Sequence, residues 1–284
     1  MNRAGKPIII SAALIQIAIL LCLSQVFAQE IPAAEFNKKD TFYNAIADQK
    51  IINMLKKGKA PKVTLSLNFN YHIGHLDLAG NENTVFRKLD FENGATFGTR
   101  YGYGGSLTGK FALHKEGNLR LNVTASYQSF LSNFIISKSP EGKVNYNIMS
   151  GALGIENNFN PDKKIKPYVG VDFIVSMIKG EATLQTDTAD FVLTIKNSVR
   201  FGAALNLGFE YAFSNQVGVN IGYKLTYANL IGKKSKASSS ANETYLNDEK
   251  ISASEVIPYA GWKQFVYSTF TAGLNFYFGM KNKK

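Results

Sequence analysis

Between Val63 and Phe278 apolar and polar residues alternate in one segment after another. In Val63-Thr64-Leu65-Ser66-Leu67-Asn68-Phe69-Asn70-Tyr71-His72-Ile73 every odd position is apolar and every even one polar. The same period of two returns in Phe270-Thr271-Ala272-Gly273-Leu274-Asn275-Phe276-Tyr277-Phe278. A two-residue period describes a strand with two unlike faces. Strands of this length, with one lipid-like face, predict a transmembrane β-barrel.

Eight strands are expected: Val63–Gly74, Tyr101–Leu113, Leu119–Phe130, Val144–Asn158, Pro167–Lys179, Phe191–Tyr211, Val217–Leu230 and Gln264–Phe278. In the fourth, either Ile148 or Met149 sets the phase. Connections after the second, fourth and sixth strands read as tight turns, among them Asn160-Pro161-Asp162-Lys163 and Ser214-Asn215-Gln216. Those after the first, third, fifth and seventh read as long, the longest at about 232–261. Short periplasmic turns and long extracellular loops characterise outer-membrane barrels, and an even strand count leaves both ends on the periplasmic side. Aromatic residues near strand ends, including Tyr71, Tyr101, Tyr103, Tyr127, Tyr211, Tyr227, Phe276 and Phe278, form the expected interfacial girdles.

The segments before the first strand differ. Arg3 and Lys6, the apolar run from Ile8 to Val26 and the small Ala28 have the order of a secretory signal peptide, residues 1–28. The chain's one cysteine, Cys22, lies inside it, without the small preceding residues of a lipidation signal. Residues 29–61 form the next segment. Asp40 is placed to cap a helix running to Lys57, with Gly58 as its stop, so a short periplasmic helix is expected. The barrel is assigned to 62–279, and a basic tail to 280–284.

The formal net charge is +11. The basic residues are dispersed, with neither a recognition-helix pattern nor zinc spacing, so nucleic acid is not an expected partner. Anionic lipid headgroups and lipopolysaccharide suit an exported basic protein better.

If the apolar face meets lipid, the other face fills a narrow bore. It carries Lys110, Arg120, Glu156, Asp172, Arg200, Glu210 and Lys224, together with asparagines and glycines such as Gly102, Gly170, Gly208 and Gly222. Isolated charges there are costly, so these seven residues are expected to form an ion-pair network, with Lys110, Arg120, Glu156 and Glu210 toward the periplasmic end. Beyond the signal the histidines are His72, His75 and His114, of which His75 lies near Asp77. This spacing gives no metal site, and no cofactor is expected.

Lys166-Pro167-Tyr168-Val169-Gly170-Val171-Asp172, Gly202-Ala203-Ala204-Leu205-Asn206-Leu207-Gly208-Phe209-Glu210-Tyr211 and the closing strand from Ala272 to Phe278 resemble the OmpA/OmpX-like outer-membrane β-barrel family. The resemblance covers about 63–279. It implies an outer-membrane location after export through the inner membrane, and assembly by a terminal aromatic signal, from which the extension Gly279–Lys284 departs. Some eight-stranded barrels are lipid A deacylases with a His-x-Ser motif, which does not occur here.

The expectation is therefore an all-β, eight-stranded antiparallel up-and-down transmembrane barrel with a short N-terminal periplasmic helix, monomeric and non-enzymatic. Its role is structural or one of surface interaction through long extracellular loops, where Lys233, Lys234 and Lys236 face lipopolysaccharide or an acidic partner. A protein partner at residues 40–57 is a further expectation. The alternatives are a narrow channel for small or apolar solutes and a lipid A-modifying enzyme.

Overall fold

A computed structural model describes residues 60–79, 96–136, 139–185, 190–233, 242–250 and 261–279. The expected signal peptide, the helix at 40–57, the tail at 280–284 and Lys234 and Lys236 lie outside the described residues.

Among the described residues there are nine strands: β1 Val63–His75, β2 Tyr101–Ala112, β3 Leu119–Ile136, β4 Ser139–Asn158, β5 Ile165–Gln185, β6 Asp190–Ala212, β7 Val217–Ile231, β8 Glu243–Tyr245 and β9 Val266–Phe278. The sheet order β5-β4-β3-β2-β1-β9-β7-β6 closes through a β5–β6 pairing, which gives an eight-stave antiparallel barrel. Closure leaves no free edge among the staves, as a sheet in lipid requires.

The alternation resolves into faces as the strand period demands. Leu67 (57% exposed), Phe69 (61%) and Leu205 (56%) point outward, while Asn70, Asn122 and Asn206 point into the bore. An apolar belt on this scale is a membrane surface. In β4 it is Met149 that faces out, whereas Ile148 is fully buried in the bore.

Two expectations are corrected. The connections after β3 and β5 are not long loops. β3 runs to Ile136 before β4 starts at Ser139, and β5 runs to Gln185 before β6 starts at Asp190. The residues read as loops extend the staves instead, so β3–β6 rise beyond the other four as a sheet on one side of the outer rim. Long outer connections remain after β1 and after β7.

The bore is not polar throughout, either. Its outer end holds an apolar core of Phe130, Tyr146, Ile148, Ile178, Ile195 and Tyr267 from the staves, joined by Leu78, Phe97, Leu246 and Phe265 from the two long connections. These inward apolar residues lie where the staves have left the lipid belt. There the inner face of the raised sheet must be covered, as in a water-soluble domain.

β7 leaves β6 early. Ala203 pairs with Tyr227 but Phe201 pairs with Ile231, so Ala228, Asn229 and Leu230 bulge opposite Gly202 alone. A Cβ on Gly202 would lie 2.8 Å from the Ala228 Cα, so only glycine admits the bulge. The edge of β6 beyond that point is taken by β8, parallel, with Thr194, Ile195 and Lys196 opposite Glu243, Thr244 and Tyr245.

Candidate functional site

The bore has three levels. At the periplasmic end, beside the short turns, Lys110 on β2, Arg120 on β3, Glu156 on β4 and Glu210 on β6 meet. Each is 6% exposed or less. Lys110 Nζ donates to Glu156 Oε2 at 3.0 Å and to Glu210 Oε1 at 2.8 Å. The Arg120 guanidinium donates to Glu210 Oε1 at 2.8 Å and also to Glu156. The register explains the meeting: Lys110 pairs with Asn122, Arg120 pairs with Glu156, and Glu210 reaches in from the far wall. Asn122 Nδ2 adds a bond to Glu156 at 3.2 Å, and the Tyr168 ring lies 4.1 Å from Lys110 Nζ. Two cations and two carboxylates balance, which buried charges need.

Above this closure is a polar chamber of about 80 Å³, lined by residues including Asn68, Asn70, Ser106, Thr124, Gln128 and Asn206. That is room for a handful of water molecules among groups able to bind them. Lys224 Nζ crosses it to Asp172 Oδ2 at 2.7 Å. Asn220 Nδ2 ties Asn275 at 2.7 Å and Asn68 at 3.0 Å. His72, fully buried at the top of the chamber, contacts Thr269 Oγ1 at 2.9 Å through Nδ1, and its ring lies between Phe130 and Tyr267.

The outer closure is the apolar core, in which Phe265 packs against Phe97, Phe130, Tyr146 and Tyr267 with ring centroids 5.1–6.3 Å apart. A polar clasp lies with it. Asp248 accepts from Arg200 Nε at 2.7 Å and from Asn229 Nδ2 at 2.5 Å. The same Asn229 donates to the Lys263 carbonyl at 3.0 Å and accepts from the Phe265 amide at 2.7 Å. Arg200 also donates to the Leu246 carbonyl at 2.9 Å. Asp77, from the first long connection, accepts from the Gln264 amide at 2.9 Å and from Lys250 at 2.8 Å. One side-chain cluster therefore ties both long connections to the staves.

Of the seven charged residues expected in one network, the structure brings together Lys110, Arg120, Glu156 and Glu210. It places Asp172 with Lys224, and Arg200 apart at the clasp. Asp248, Asn229 and Lys263 escape sequence reasoning, because two of them sit in connections with no periodicity and Asn229 on a bulge that breaks it. His75 Nε2 lies 2.6 Å from Ser268 Oγ, which Tyr223 OH also contacts at 2.6 Å. Ser268 is buried under both. His114 is exposed at a periplasmic turn. Among the described residues no three His, Cys, Asp or Glu side chains gather as metal ligands. Lys233 Nζ donates to Tyr227 OH at 3.0 Å at the outer end of β7.

Residues 59–278 match the model of the outer membrane protein beta-barrel domain. No curated protein matches the chain. Among solved structures, Neisserial surface protein A is 14% identical, with a TM-score of 0.43 over 77% of this chain and 99% of that one. OprG from Pseudomonas aeruginosa is 12% identical, with a TM-score of 0.43 over 78% and 97%. Ail, the attachment invasion locus protein of Yersinia pestis, is 10% identical, with a TM-score of 0.37 over 76% and 99%.

Proposed function

Since this chain belongs to the outer membrane protein beta-barrel domain family, we propose that it is a non-enzymatic protein of the bacterial outer membrane that works by surface interaction and not by passing solutes through its bore. The observation that carries this reading is closure at both ends: four buried, mutually paired charges below the chamber and an interlocked aromatic core above it. A packed barrel of eight staves leaves an interior that side chains fill. The clasped cap built from the two long connections is then the rigid element offered to the outside, with the cationic Lys233 beside it. Lipopolysaccharide and other acidic surface polymers are the partners that this chemistry fits.

The polar chamber is the one feature that favours a second reading, a narrow channel. Reconstitution of the folded full chain in planar bilayers separates the two. The closed reading expects a quiet baseline, and reproducible open steps would replace it with the channel.

A further inference from the structure

On the outer wall of the barrel an apolar groove, chiefly on β2 to β5, adjoins a polar pocket on β4 to β6. The groove, of about 940 Å³, has small outward residues, Gly105, Ala125 and Gly151, along its floor, with Tyr127, Met149 and Met177 beside them. Register sets the levels: Gly151 pairs with Ala125 and Val175, and Met149 with Tyr127 and Met177. Two residues nearer the outer rim the outward positions become Asn147 and Lys179, which pair with each other. With Asn145, Lys196, Asn197 and Tyr245 they line a pocket of about 600 Å³. The pocket owes its shape to a bulge. Ile178 pairs with Ser198 and Gly180 with Ile195, so both Lys196 and Asn197 lie opposite Lys179. β8 then sets Tyr245 opposite Lys196.

We infer that this wall docks one phosphorylated glycolipid of the outer leaflet, a lipopolysaccharide, with an acyl chain in the groove and the sugar-phosphate head in the pocket. The sequence from apolar to polar runs along the staves toward the outer end, so the occupant is an amphiphile of that leaflet. Lys179 makes no ion pair among the described residues and is the cation offered to a phosphate. Tyr127 OH donates to Asn147 Oδ1 at 2.8 Å, which leaves the Asn147 Nδ2 as a donor toward the head.

The pocket is not uniformly basic. Lys196 is bonded to Glu243 at 2.5 Å, and Glu181 also lines the pocket. A mixture of ammonium, carboxylate and amide groups with a tyrosine ring suits sugar hydroxyls carrying a phosphate better than it suits a bare phosphodiester. That chemistry selects a glycolipid over a phospholipid. The inference rests on the outer-membrane location alone and holds whether or not the bore conducts.

The test uses the full chain refolded in micelles and exposed to lipopolysaccharide or to phosphatidylglycerol, with bound lipid read by native mass spectrometry. The expected result is one retained lipopolysaccharide and no comparable retention of phosphatidylglycerol. Gly151→Leu and Lys179→Glu should each lower the bound fraction about fivefold, the loss of a contact worth slightly under one decade in affinity. A Cβ at Gly151 would meet no atom within 4 Å, so Gly151→Leu can enter the groove without its Cβ straining the sheet. Lys163→Ala, exposed at the periplasmic turn after β4, should bind as the parent does. Equal retention of phosphatidylglycerol, unchanged binding by both wall variants, or loss of binding only in Lys163→Ala would each overturn the site.

Discussion

Asn229 donates to Asp248 Oδ1 at 2.5 Å, and this bond joins the bulge of β7 to the last long connection of the chain. Asp248 is fully buried and also neutralises Arg200, which is 5% exposed. Replacing Asp248 by Ala takes the carboxylate from a buried guanidinium that also donates to the Leu246 and Val199 carbonyls. Removing one partner of a buried pair costs roughly 3–5 kcal/mol. The loss should fall on the cap and not on the staves, because barrel pairing does not pass through Asp248. Amide hydrogen exchange is therefore expected to quicken at 243–250 and 263–265 while β1 to β4 keep their protection. Uniform loss of protection around the barrel would contradict a clasp local to the cap.

The periplasmic quartet predicts a different response. Arg120→Ala leaves Lys110 as the ion-pair partner that Glu156 and Glu210 share among the described residues, inside the membrane-spanning part of the bore. The expected cost is about 3 kcal/mol, seen as a lower guanidinium midpoint of the folded barrel. Exchange at the cap should be unchanged relative to the barrel, which separates this variant from Asp248→Ala. An unaltered midpoint would show that the quartet contributes nothing to stability.

The sequence made the staves legible because lipid on one side and a filled bore on the other enforce a strict two-residue period. Leu65, Leu67 and Phe69 are assigned to the outer face from this period alone, and the structure places them there. Where the lipid ends the rule ends. Phe130, Tyr146 and Ile148 are apolar yet inward, since above the membrane the inner face of β3–β6 is covered by Phe97 and Phe265. The same extension of β3 into β4 and of β5 into β6 was invisible, because those rim segments have no lipid to impose an apolar outer face. Asp248 and Lys263 carry no local signal at all: their partners come from β6, β7 and the first connection, far off in sequence.

Tyr168 and Gly222 predict a measurable coupling. A Cβ at Gly222 would lie 2.6 Å from Tyr168 OH, and its next nearest atom is 3.5 Å away. The clash is therefore with the end of one side chain. Gly222→Ala should cost about 1–2 kcal/mol, the usual penalty for overpacking. In a Tyr168→Phe background, where the hydroxyl is gone and the ring still faces Lys110, most of that cost should vanish. Strictly additive losses in the double-mutant cycle would mean that Gly222 is required for its backbone and not for the space it leaves.

Lys263 makes the cap sensitive to pH. It is 4% exposed, and its ammonium lies 4.9 Å from the Phe97 ring. Burial pulls its pKa down to about 8 from the usual 10.5. Asp248 and Asp77 oppose the fall, and Lys250 adds to it. With the folded value below the unfolded one, the open cap binds more protons between these two pH values. Closure of the cap should therefore strengthen as pH rises from about 8 to 10.5, and its stability should be lowest and flat below about 8. The full gain is at most about 3 kcal/mol, from 1.36 kcal/mol for each unit. Lys263→Met should remove the slope and make the cap more resistant to proteolysis near neutral pH. If wild-type opening, followed by protease susceptibility at the outer connections, does not change between pH 8 and 10.5, the lysine is charged in the closed cap at no cost and the assignment fails.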